Sequence, residues 1–446
     1  MATRTAPARL PQQSLCRPYP TILRARLRSA LATEPLLRNG HVLTISSVLT
    51  AGLGAVFWLL ATSWYSADTV GRSYAALGTV ALLAGIGQLN LDDLLVRFVP
   101  VAGRRTRRLV LHCYAVGALC SALAALLFLL LLPELAPNLG FLRHPALAAC
   151  FVAATAGYAL FVLQDGALTG LRRANWVLGE NALFAVVKTG LLVGCAAWAL
   201  DSGILLSWTG ALITSLLVTN YFLLKRAVPV HQGGDRGGTA PPQRLVGYAA
   251  ADYFGAIFRM AAYDLMPLLV LNILGAAPSA YFSLAWVIAY TLYQAAYNMG
   301  SSLIVEAVRE PGRLGEHGRR VLRHTTLVLT AVILAVEVAA PWLLGLFGPD
   351  YAAHGTGVLR LLVLAALPNL LVSVAIDVAR ARRRLVWAIV LQLALCAMVL
   401  TLGVLLLPVL GIAGVGVAWL VAEGALCVPL LATLPRWLPA PARRSQ

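Results

Sequence analysis

The sequence predicts an all-α polytopic membrane protein with twelve transmembrane helices in two pseudo-symmetric lobes of six. Three observations carry this. Of the 446 residues 60% are hydrophobic and only 12% charged, with a mean hydropathy of +0.80, more apolar surface than a water-soluble domain buries. Roughly thirty of the 35 Lys and Arg fall in the N-terminal tail, every second connection and the C-terminus, and the positive-inside rule then puts both termini in the cytoplasm with an even number of spans. Four landmarks also recur 207–211 residues apart: Tyr74 and Tyr281, Pro133 and Pro341, Trp176 and Trp387, Gly203 and Gly411. Such a repeat of two even-numbered units gives lobes of the same orientation, related by an axis along the membrane normal.

Residues 1–37 are Pro- and Arg-rich and lack the apolar core of a cleaved signal, so they read as a mostly disordered cytoplasmic tail. Runs long enough to cross about 30 Å of hydrocarbon follow near 41–62, 74–96, 109–132, 146–169, 176–200 and 204–224. These make an N-terminal lobe over 38–227. Residues 228–244 concentrate Gly and Pro and read as a cytoplasmic linker. The C-terminal lobe, 245–435, holds runs near 245–274, 279–304, 321–344, 353–377, 384–408 and 411–434, and a cytoplasmic tail covers 436–446.

The formal charge of +17 would suggest nucleic acid in a soluble protein. Here the basic residues lie in the loops of one side, where they meet anionic lipid headgroups. No connection is long enough for a separate catalytic domain, and there is no phosphate loop after a strand and no His or Cys spacing of a metal site. The chain therefore reads as a non-enzyme without cofactor. Its seven Cys are small residues of the core. The excess of Arg over Lys suits a GC-rich bacterial genome, hence a bacterial cytoplasmic membrane.

Charges at membrane depth cost about 2.5–3.5 kcal/mol each even on the lenient insertion scale, which directs attention to helix 7. Tyr248, Asp252, Arg259 and Tyr263 share roughly one face of it, and Asp264 follows. Arg259 is a substrate contact, able to hold a phosphate or carboxylate, or it pairs structurally with an acid such as Glu423. On helix 8, Tyr290, Tyr293, Gln294, Tyr297, Asn298 and Ser301 recur at helical spacing. That stripe suits sugar faces or a wet cavity, or interhelical packing. Asp92, Asp93 and Arg97 read as a salt-bridged helix end, Glu337 and Arg360 as a structural ion pair between helices 9 and 10. Lys188 has no acid at matching depth.

Asp264 with the segment Gly275–Ala285, Leu346–Tyr351 with Leu359-Arg360, Ala366–Pro368, the basic turn Arg380–Arg384 and Arg97–Pro100 resemble the polysaccharide-flippase, Wzx-like branch of the multidrug/oligosaccharidyl-lipid/polysaccharide exporter superfamily. The resemblance implies two six-helix lobes in a V, alternating access, and a cavity lined by helices 1, 2, 7 and 8. It implies a polyprenyl-(pyro)phosphate-linked oligosaccharide as cargo for surface polysaccharide biosynthesis, with Arg259 at the pyrophosphate or an acidic sugar and the helix 8 tyrosines on the glycan. A polysaccharide polymerase or glycosyltransferases would be partners. Helix 1 (42–62) carries no acid, unlike cation-coupled drug-exporting relatives, and no basic cluster such as peptidoglycan-precursor flippases show. A cation-coupled multidrug or metabolite exporter stays open, with Asp252, Asp264 or Asp377 carrying the ion, as does a scaffold for glycan synthesis.

Overall fold

Inside a bilayer every backbone N–H and C=O must find an internal partner, and apolar runs of this length meet that demand as helices. The computed structural model describes residues 52–233, 243–309 and 314–438, helical nearly throughout with no strand among them. Among the described residues twelve principal helices follow one another: the shorter α1 (Gly52–Trp64), then α2 (Ala67–Gly87), α3 (Thr106–Leu130), α4 (Pro145–Gly170), α5 (Ala174–Ala197) and α6 (Gly203–Phe222). After the central connection come α7 (Gln243–Asp264, continued by Met266–Leu274), α8 (Ala276–Arg309), α9 (Leu314–Gly345), α10 (Pro349–Ala381), α11 (Leu385–Leu410) and α12 (Ala413–Ala432). The sequence expectations for 1–37, for 234–242 and for 439–446 lie outside the described residues.

The two halves pack alike. In the N-terminal half α4 is central, against α2, α3 and α6, while α5 lies on α6. In the C-terminal half α10 is central, against α8, α9 and α12, while α11 lies on α12 and α7. Both central helices end in the same corner. Arg172 and Arg383 take left-handed φ values of 59° and 57°. The following amides of Arg173 and Arg384 donate back to Leu168 and Ala379 at 2.9 and 2.8 Å. This is the left-handed helix stop usually given to glycine, built twice on arginine at the repeat spacing.

Three boundaries differ from the sequence expectation, each for a local reason. α2 begins earlier, where Ser66 caps the amide of Thr69 and Asp68 sits in the first turn. It then breaks at Leu89 and Asn90, both with φ of 56°, and resumes as a separate helix, Leu91–Phe98. α7 is interrupted after Asp264, because Pro267 has no N–H to donate back to the preceding turn. The start of the expected linker is helical: a π-turn at Leu223–Ala227 carries the chain into a helix Val228–Gly233. His231 Nε2 holds it 3.0 Å from the Val99 carbonyl, and Gln232 donates to that of Arg104 at 2.7 Å.

α2 is the seam between the halves. A Cβ on Gly71 would run into the backbone of Ala276 and Ala280 on α8. Farther along, Gly78 faces the carbonyl of Asp264 and Gly85 the sulfur of Met260, and Tyr253 Oη donates to Ile86 O. Small residues thus let α2 approach α7 and α8 closely.

On the far side of the C-terminal half, Arg360 Nε lies 3.6 Å from the Glu337 carboxylate and 3.1 Å from its carbonyl. Glu337 is eight residues from the end of α9, about 12 Å deep. Arg360→Leu is expected to destabilise by about 2.5–3.5 kcal/mol, since it strands the acid. Adding Glu337→Gln should recover most of that loss, because replacing both partners of such a pair is close to neutral. Denaturant unfolding in bicelles measures both.

Candidate substrate-binding cleft

The charged and aromatic side chains near the middle of α7 and α8 meet residues of α2 and α4 from the other half. Arg259, on α7, is half-buried, its guanidinium carbon 5.3 Å from the ring centre of Tyr297 on α8. Its Nε is shielded and has no hydrogen-bond partner, and no ion pair to it forms among the described residues. Glu423, its candidate structural partner, is fully buried and instead accepts a 2.7 Å bond from Asn369, whose amide also reaches Tyr263 Oη at 3.2 Å. Asp264 is within electrostatic reach of Arg259, and also of Tyr74 on α2, Tyr158 on α4 and Tyr290 on α8. One cation, one acid and a group of phenols are therefore gathered where α2 and α4 of one half approach α7 and α8 of the other, the candidate cleft.

The helix 8 stripe divides in two. Tyr290 is 36% exposed, and Gln294 and Tyr297 are half-buried. Tyr293 is sealed: it is 2% exposed and its hydroxyl donates to Leu362 O at 2.6 Å. It belongs to a packed aromatic group with Tyr263, Trp286 and Trp419, the last 4.8 Å from Tyr263 between ring centres. Tyr293 thus corrects the reading of the whole stripe as cavity wall; three residues on from Tyr290, it is rotated by about 60° and turns into the C-terminal half. The side chains of Tyr248, Asp252, Asn298 and Ser301 lie outside the described residues. Asp377 is buried, 3.7 Å from Arg380.

Next to these residues is a group of acids that the sequence reading did not join: it took Asp92 as part of a salt-bridged helix end, where Arg97 lies 3.8 Å from Asp93, and named neither Asp165 nor Glu180. Glu180 on α5 is 2% exposed, and neither carboxylate oxygen has a hydrogen-bond partner. Asp165 on α4 and Asp92 on the short helix after the α2 break each hold one shielded, unpartnered oxygen. Asp165 is in electrostatic reach of Asp92 and of Glu180, and the Tyr114 hydroxyl of both Asp165 and Glu180. Tyr158 is in reach of Asp165 as well as Asp264, so the acid chamber and the cleft adjoin. Gly166 and Gly170 bring α4 against the backbone of Asp92 and Leu95, with no space for a Cβ. The signal was present: Gln164-Asp165 and Glu180-Asn181 are polar pairs inside apolar spans.

Lys188, two turns beyond Glu180, points away from the acids. Its ammonium sits over the rings of Phe57 and Phe184, at 4.6 and 5.1 Å, where the aromatic faces partly replace a counter-ion. Among the described residues no three of His, Cys, Asp and Glu are placed to cage a metal ion.

No sequence family and no curated protein matches this chain. Its fold is that of solved transporters. It is similar to an outward-facing multidrug resistance MATE family transporter of the MOP superfamily, at 14% identity and a TM-score of 0.66, covering 91% of this chain and 97% of that one. The inward-facing conformation of such a transporter gives 14%, 0.64, and coverages of 88% and 98%. A MOP superfamily transporter from Pyrococcus furiosus, described as having a binding pocket of reversed polarity, gives 14%, 0.63, and coverages of 89% and 94%. The two-lobed, twelve-helix exporter architecture is thereby shared over nearly the whole chain.

Proposed function

We propose that this protein is a cation-coupled exporter of an organic solute, working by alternating access between its two halves. The observation that carries this reading is the chamber of Asp92, Asp165 and Glu180. Three carboxylates at membrane depth, with no basic partner among the described residues and beside a break in α2, need a positive charge to balance them. A carboxylate shielded from water is most cheaply neutralised by a proton, so the proton is the coupling ion of this reading. Tyr158, between the acids and the cleft, gives cation occupancy a physical route to the substrate surfaces of Arg259, Asp264 and Tyr290. The multidrug transporters that share this fold support the same choice.

The test is transport by the full chain in liposomes with an imposed pH gradient, with ethidium as probe and a pH dye in the lumen. Probe efflux with coupled proton entry is expected. Asp165→Asn and Glu180→Gln should each reduce both signals to those of empty liposomes while the protein still reconstitutes. Efflux that ignores the pH gradient in the unaltered chain, or survives both substitutions, would refute the coupling.

A second reading is favoured by one observation, the unpartnered guanidinium Nε of Arg259 beside Tyr297. An arginine so placed suits an anionic headgroup, and the phenols suit sugar faces, as a polyprenyl-pyrophosphate-linked oligosaccharide in the cytoplasmic membrane would require. Movement of a labelled polyprenyl-pyrophosphate glycan between leaflets, without proton entry, would replace the first reading by this one.

A further inference from the structure

The C-terminal half has a groove at the basic end of the molecule, between the ends of α10, α11 and α12, with a volume of about 550 Å³. Its walls are apolar, among them Val378, Leu391 and Leu430. Arg382, Arg384 and Arg436 also line it, together with Trp387 and Trp437. Arg384 and Arg436 are exposed and Arg382 is half-buried, and none of the three forms an ion pair among the described residues. The neighbouring Arg380 is held by Asp377. Trp387 and Val390, on the outer side of α11, are 48% and 44% exposed, so the groove is continuous with the helix surface that meets lipid. Trp437 Nε1 donates to Leu430 O at 2.9 Å, which fixes the indole as a wall.

Three features of this groove match one kind of ligand. Apolar walls open to the bilayer suit an acyl chain. Three guanidinium groups without acids suit a phosphodiester, and indoles sit by preference at headgroup level. We propose that the groove holds one anionic glycerophospholipid of the adjoining leaflet, with its phosphate among Arg382, Arg384 and Arg436 and an acyl chain along the wall. The occupant is a resident lipid, set apart from the interlobe cleft and independent of what the cleft carries.

Native mass spectrometry of the full chain, released from mild detergent with dioleoylphosphatidylglycerol or dioleoylphosphatidylcholine, tests this. The unaltered chain is expected to retain one phosphatidylglycerol and to lose phosphatidylcholine. The combined Arg382→Ala, Arg384→Ala, Arg436→Ala variant should bind phosphatidylglycerol about a hundredfold more weakly. Ala394→Trp, which fills the groove and keeps the arginines, should lose the lipid too. Arg107→Ala with Arg108→Ala, which removes charge from α3, should retain it. Equal retention of the two lipids by the unaltered chain overturns the proposal, and that comparison needs no variant to fold. So does retention in the triple variant or in Ala394→Trp, or a loss in the Arg107, Arg108 pair as large as in the triple.

Discussion

Gly71→Val is expected to abolish transport, the largest single effect from a residue that touches neither the cleft nor the acids. The added atoms would collide with the backbone of Ala276 and Ala280, and a backbone cannot rotate aside as a side chain does. Overpacking of this kind costs about 3 kcal/mol if the helices stay together. If they part instead, α2 is levered off α8 and the halves are propped open at this end. Either outcome would arrest the proposed alternating-access cycle. Efflux from liposomes should fall to the level of empty vesicles, with less effect from Gly71→Ala. Gly179→Val is the control, since nothing lies within 4 Å of a Cβ at Gly179. Normal efflux by Gly71→Val would show that the contact between α2 and α8 is not part of the cycle.

Arg259→Glu is expected to produce a large loss of transport for an anionic cargo. The guanidinium meets the Tyr297 face, lies near Asp264 and forms no ion pair among the described residues, which leaves its charge available to an anion. A charge-assisted hydrogen bond contributes up to about 3 kcal/mol, so an anionic cargo should move roughly a hundredfold more slowly with Arg259→Ala. Arg259→Glu, which adds repulsion, should lower it further, while Arg259→Lys keeps the charge and recovers part of the rate. For a cationic probe such as ethidium the sign reverses: Arg259→Glu should leave or raise efflux. Comparing anionic and cationic probes on the same variants therefore reads the polarity of the cleft directly. Equal rates for Arg259→Glu and the unaltered chain with every probe would remove this residue from the substrate surface.

Much of the fold is legible in the chain because the bilayer narrows the choices. Spans of fixed length, basic loops on one side and landmarks about 208 residues apart give twelve helices and two parallel units before any contact is known. The breaks at Leu89–Asn90 and after Asp264 were hidden, since a helix interrupted for two residues keeps the hydropathy of an unbroken one. In the cleft, Arg259 and Asp264 stood out as charges. Which face of α8 turned outward did not, because tyrosine serves cores and cavities alike; Tyr290 and Tyr293 differ only in the neighbours that three other helices supply. The acid chamber was missed for a related reason. Asp92, Asp165 and Glu180 come from three segments whose proximity is a property of packing, and a single acid inside an apolar span does not by itself tell what it faces.

The twin corners at Arg172 and Arg383 bear on how such a molecule can move. Each sets a guanidinium-bearing turn and, three or four residues later, an indole, Trp176 or Trp387, at the same height on its own half. Belts of this kind resist being drawn into hydrocarbon or out into water. If the halves alternate as proposed, two matched floats favour a swing like that of a pair of doors, since a piston-like slide of one past the other would drown one belt and strand its twin.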